Sequence, residues 1–134
     1  MFKRFFSRNS APLSGAPAAP RLKVYAAESG YVYHYFYEGY RASTAPAETG
    51  TEYVFQISHD RQAWRPLAVF LPEAALPEWQ QAHARELSST ERYALVKMAL
   101  FQAFDQCATP SGLRNSVRVY PADVEILLEK LGVE

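Results

Sequence analysis

Cysteine is nearly absent: Cys107 stands alone in 134 residues, which excludes an intramolecular disulfide and a cysteine cluster for zinc and fits a reducing compartment. Glycine is scarce too. Six glycines leave little room for a Gly-rich phosphate loop, and neither a nucleophile elbow nor a paired-histidine zinc motif occurs. No apolar run approaches the roughly 20 residues that span a bilayer, and the first residues lack the hydrophobic region of a secretory signal. The expectation is a soluble, cytoplasmic chain, at most peripheral to a membrane.

Acidic residues are missing from residues 1–27, which hold Lys3, Arg4, Arg8, Arg21 and Lys23. The formal charges balance overall, 14 basic against 14 acidic, so the remainder is net negative. A body of that sign repels phosphate backbones at long range unless its cations are clustered, which argues against nucleic acid as its main partner. With 49% hydrophobic residues in 134, the chain has the composition and length of one globular core.

Residues 1–20 read as a flexible tail. Phe2, Phe5 and Phe6 interleave with Lys3, Arg4 and Arg8, and a linker follows with Pro12, Pro17 and Pro20 among small residues that bury too little to offset their ordering entropy. Rings mixed with cations suit an anionic membrane surface or an acidic groove on a partner. An idle terminus and an organellar transit segment are the competing readings.

The rest, residues 21–134, reads as a single α+β domain. Strands are predicted at Leu22 to Ala26, Tyr31 to Arg41, Glu52 to Ser58 and Pro66 to Leu71, separated by turn-rich segments. Helical spacing then takes over. One helix is predicted from Glu73 to Arg85, a second from the capping box Ser88–Glu91 to Cys107 or Ala108, and a third from Pro121 to Gly132. Val117 to Tyr120 offers a short fifth strand. Strands first and helices after point to an antiparallel four-stranded meander with three helices on one face.

Two features stand out chemically. The strand Tyr31–Tyr40 holds five tyrosines in ten residues. Strict alternation sets Tyr31, Tyr33, Tyr35 and Tyr37 on one face and Val32, His34, Phe36, Glu38 and Tyr40 on the other. The tyrosine face is either an aromatic platform for bases or partner side chains, with Tyr33 and Tyr35 at its centre, or a packed core with wet hydroxyls, which is the favoured reading. Lys97 is the second feature, because helical spacing puts it on an apolar face with Tyr93, Phe101 and Phe104. A desolvated amine there can act as base, nucleophile or anion anchor beside His34 or Glu38, whereas a lysine that lays its stem on rings and carries its amine to water is the commoner case.

His34, His59 and His83 show no ligand spacing, so no metal is expected, and no motif implies a cofactor. The leading functional expectation is a small non-enzymatic interaction module that docks on a protein partner or a membrane-associated assembly. The alternatives are a ligand-binding or enzymatic pocket in which His34, Glu38 and Lys97 converge, and single-stranded nucleic-acid binding by the tyrosine face. A tyrosine-rich edge strand also leaves a homodimer open.

Overall fold

Alternation in the first half and 3.6-residue spacing in the second both become regular structure in a computed structural model, which describes residues 12–43 and 48–134. The tail residues Phe2, Lys3, Arg4, Phe5, Phe6 and Arg8 lie outside the described residues. The strands are β1 (Lys23–Ala26), β2 (Val32–Ala42), β3 (Gly50–Ser58), β4 (Arg65–Pro72) and β5 (Ser116–Arg118), in the spatial order β1-β2-β3-β4-β5. The first four form an antiparallel meander. The fifth follows the helices and pairs parallel to β4, with Val69 opposite Val117. The fold is therefore α+β, with three helices and a mostly antiparallel sheet.

The helices begin and end where backbone chemistry requires. The helix expected to start at Glu73 is instead a single 3-10 turn (Glu73–Ala75) followed by α1 (Pro77–Ala82). Pro77, which lacks an N–H and clashes inside a helix, occupies a first helical position. Residues 83–85 leave the helix, with Ala84 at a positive φ of 54°. Helix α2 (Ser89–Gln106) is capped as its sequence predicts: Ser88 Oγ accepts from the Glu91 N–H at 3.1 Å, and Glu91 Oε1 accepts from the Ser88 N–H at 2.9 Å. Helix α3 (Pro121–Leu131) opens on Pro121 and stops at Gly132, whose left-handed φ of 76° suits glycine.

The tyrosine face of β2 is the core face. Tyr33 and Tyr35 are only 1% and 4% exposed. They share that face with Phe55 and Ile57 of β3 and with Leu67, Val69 and Leu71 of β4, and all three helices bury residues against it. Tyr33 stacks on Phe104 at a centroid distance of 4.2 Å, and Tyr25 stacks on Phe101 at 4.4 Å. Each such pair adds about 0.5–1.5 kcal/mol beyond the burial of its rings. The opposite face carries His34, Phe36 and Gln56, with Val24 and Val32 exposed.

The β2–β3 pairing is irregular at one point. Tyr37 pairs with Phe55 and Gly39 with Val54, so Glu38 is an extra residue, a β-bulge. Strict alternation put Tyr40 beside Glu38; the bulge instead returns it to the tyrosine side, opposite Tyr53. Gly39 makes this feasible with a φ of 130° and because a Cβ there would stand 2.5 Å from the Ser14 carbonyl oxygen. Ser14, in the stretch that reads as linker, exchanges two backbone hydrogen bonds with Tyr40 at 2.8 and 2.9 Å. No helix among the described residues is long and apolar enough to cross a membrane.

Candidate functional site

Between the core face of β2 and β3 and helix α2 lies a groove of about 810 Å³. Tyr35, Tyr37 and Tyr40 of β2 and Tyr53 of β3 supply one wall, and Arg92, Tyr93 and Lys97 of α2 supply the other. Pro17, Arg21 and Lys23 close one side. Five phenol rings and four cations thus line one space, and no aspartate, glutamate or histidine is among the lining residues.

The rings touch one another. Tyr37 and Tyr93 approach across the groove at a centroid distance of 4.8 Å, too close for a third ring to insert between them. Tyr40 and Tyr53 stand 6.2 Å apart. Burial pushes the Tyr37, Tyr53 and Tyr93 phenols upward, and at Tyr37 the neighbouring Tyr53, Tyr93 and Tyr40 add to the effect. These three hydroxyls therefore stay protonated at neutral pH. Among the described residues, the hydroxyls of Tyr37, Tyr40, Tyr53 and Tyr93 make no hydrogen bond.

Lys97 is the central cation. Its Nζ lies 5.9 Å from the centroid of Tyr35 and 5.8 Å from those of Tyr93 and Phe101. Burial lowers its pKa, and Lys23 lowers it further. Ring quadrupoles oppose that trend by favouring the ammonium form. No carboxylate pairs with Lys97 among the described residues. Arg92 differs, reaching Glu73 at 3.4 Å in an exposed contact worth little.

The expected meeting of His34, Glu38 and Lys97 does not occur. Lys97 covers Tyr35, whereas His34 and Glu38 project from the opposite face of the sheet. There Glu38 accepts a hydrogen bond from Gln56 Nε2 at 3.1 Å, and His34 Nδ1 is buried without a partner. Tyr33 lies beneath Phe104 in the core rather than in the groove. Tyr35 and Lys97 are the two expected residues that meet. Arg21, Lys23, Tyr53 and Arg92 carry no sequence signal as site residues, because each is ordinary in its own segment, whereas Tyr37 belongs to the tyrosine face and Tyr40 joins it only through the bulge.

A second cleft, of about 440 Å³, includes Tyr33, His59, Trp64 and Arg65. Its guanidinium is already engaged by the Leu113 and Pro110 carbonyls at 2.8 and 3.3 Å and by Asn115. It holds a loop rather than facing a ligand. His83 stacks on Trp79 at 4.0 Å and its Nδ1 bonds the Trp79 carbonyl. No group of three or more potential metal ligands exists among the described residues. Compared with protein-family models, curated proteins and solved structures, the chain matches none of them.

Proposed function

We propose that the protein is a non-enzymatic binding module whose groove takes an anionic ligand. The observation that carries this reading is the lining itself: Arg21, Lys23, Arg92 and Lys97 face one concavity, no acidic residue is among the lining residues, the Glu73 carboxylate touches only Arg92, in an exposed contact, and tyrosine hydroxyls add donors. Such a wall attracts negative charge and offers rings for apolar contact with the remainder of a ligand. Turnover is less well served. With no carboxylate or imidazole in the lining and the phenols pushed upward, the groove has few groups suited to moving a proton near neutrality.

Calorimetric titration of the full chain with benzoate and with phenyl phosphate tests the reading. Binding of at least one of them is expected, weaker at higher salt, and reduced about tenfold or more by Arg92→Glu or Arg21→Glu, since an attractive contact becomes a repulsive one. Absence of binding by both anions, or binding that both variants leave unchanged, overturns it.

A further inference from the structure

Two lysines, Lys23 of β1 and Lys97 of α2, line the groove on either side of Tyr35. Lys23 lies directly opposite Tyr35 in the β1–β2 register, and the side chains of such pairs project to the same face. Lys97 Nζ reaches the same ring from the helix side, 5.9 Å from its centroid. Both residues line the groove and no carboxylate lies among the lining residues. Two like charges that act on each other stand at the edge of an aromatic core, and among the described residues no carboxylate pairs with either, an arrangement that costs stability when the site is empty.

We infer that Lys23 and Lys97 together hold the phosphate of a phosphomonoester, a dianion whose ester body rests on the tyrosine wall. This deepens the anion-binding reading above and rests on it. Charge and donors match. A carboxylate brings one negative charge and leaves one ammonium uncompensated, whereas a phosphomonoester brings nearly two near neutral pH and three strongly accepting oxygens. The donors are in excess: each ammonium has three N–H bonds and each phenol one. The phenols of Tyr37, Tyr53 and Tyr93, protonated at neutral pH like any phenol, can donate to those oxygens. Because Tyr37 and Tyr93 already touch, the ester body lies along the wall and is not sandwiched between them.

The Lys97 charge gives a signature that a packing role does not. Lys97→Met removes a desolvated cation and its repulsion with Lys23 while keeping the stem, so the variant is expected to melt no lower than wild type. It should nonetheless bind phenyl phosphate about tenfold more weakly, the loss typical of one charge-assisted contact. Lys23→Met, at an exposed strand position, should weaken phenyl phosphate similarly and serves if Lys97→Met does not fold. At constant ionic strength wild type should prefer phenyl phosphate to benzoate by about tenfold, and its affinity should rise with pH through about 6, where the second phosphate proton leaves.

Equal affinity for benzoate and phenyl phosphate, with both abolished by Arg92→Glu, overturns the dianion inference and leaves the anion-binding groove standing. No binding of either anion overturns both. Phenyl phosphate affinity unchanged in both lysine variants also overturns the inference. AMP and vesicles containing phosphatidic acid separate the sources: protection by AMP alone assigns the phosphate to a soluble ester, retention on vesicles alone that Lys97→Met abolishes assigns it to a lipid headgroup, and retention that both lysine variants keep belongs to the basic tail and overturns the inference.

Discussion

Gly39→Ala is the most informative single substitution in the fold, since it attacks the bulge that turns Tyr40 into the groove. At φ 130° the new side chain is strained on its own account, at a cost of about 1–3 kcal/mol. Its Cβ would also stand 2.5 Å from the Ser14 carbonyl oxygen and 3.1 Å from Leu13 Cβ. Ser14 must retreat, loosening the two hydrogen bonds that it exchanges with Tyr40, each worth about 0.5–1.5 kcal/mol net. The expected total is about 2–6 kcal/mol. Gly30→Ala is the control: its φ is 97° and nothing lies within 4 Å of the added atom, so it reports strain alone. Urea unfolding should show Gly39→Ala clearly less stable than Gly30→Ala, and amide exchange should quicken at Ser14 and Tyr40. Equal losses in the two variants, with Tyr40 as protected as in wild type, would refute the role given to the Ser14 contact.

Two further outcomes follow from single groups. Tyr33 carries a hydroxyl buried without a partner, so Tyr33→Phe should stabilise the chain by about 1 kcal/mol, read as a higher urea midpoint at unchanged slope; a lower midpoint would mean that the hydroxyl is satisfied. Glu91 is held at about 2, first by Arg85 and then by the Ser88 N–H. A carboxylate whose folded pKa is depressed stabilises above its unfolded value, and the benefit disappears as pH falls from about 4.5 through about 2. Glu91→Gln retains a group able to cap Ser88 but loses the charge facing Arg85, so its melting deficit should be present at pH 7 and narrow towards pH 2.

The parts of the fold that depend on neighbours in sequence were legible before any coordinates. Ser88 and Glu91 are three residues apart, Pro121 and Gly132 bracket one apolar stripe, and Tyr53, Phe55 and Ile57 alternate, so each element declares itself within about a turn or a strand. Lys97 was legible for the same reason, since a cation on an apolar helical face is a local anomaly. The bulge was not. It depends on Ser14 meeting Tyr40 across 26 residues of chain, and without it the alternation rule sends Tyr40 to the wrong face. Sequence holds no rule that chooses between the two faces of β2, and so none that keeps His34 and Glu38 away from Lys97; the rings of Phe101 and Phe104 make that choice by accepting Tyr33 and Tyr35. Likewise, a strand at β5 is visible in sequence, but its parallel pairing with β4 is set by the path of the intervening helices.

Charge shows most clearly how a sequence total misdirects. Residues 28–134 carry nine basic against 14 acidic residues, which by itself speaks against an anionic ligand. Folding sorts those charges. Arg92 and Lys97 join Arg21 and Lys23 around the groove, while Glu48 pairs with Arg118, Glu91 with Arg85, and Glu52 with Arg41, none of them lining residues; only Glu73 reaches a lining cation, Arg92, at 3.4 Å. At separations beyond a Debye length of about 8 Å the molecule presents almost no net attraction, so a captured anion gains little from steering. Inside the groove the four cations act at short range against low-dielectric rings. Affinity for an anion should therefore reside in slow release rather than fast capture: removing a groove cation should raise the dissociation rate and leave the association rate nearly unchanged.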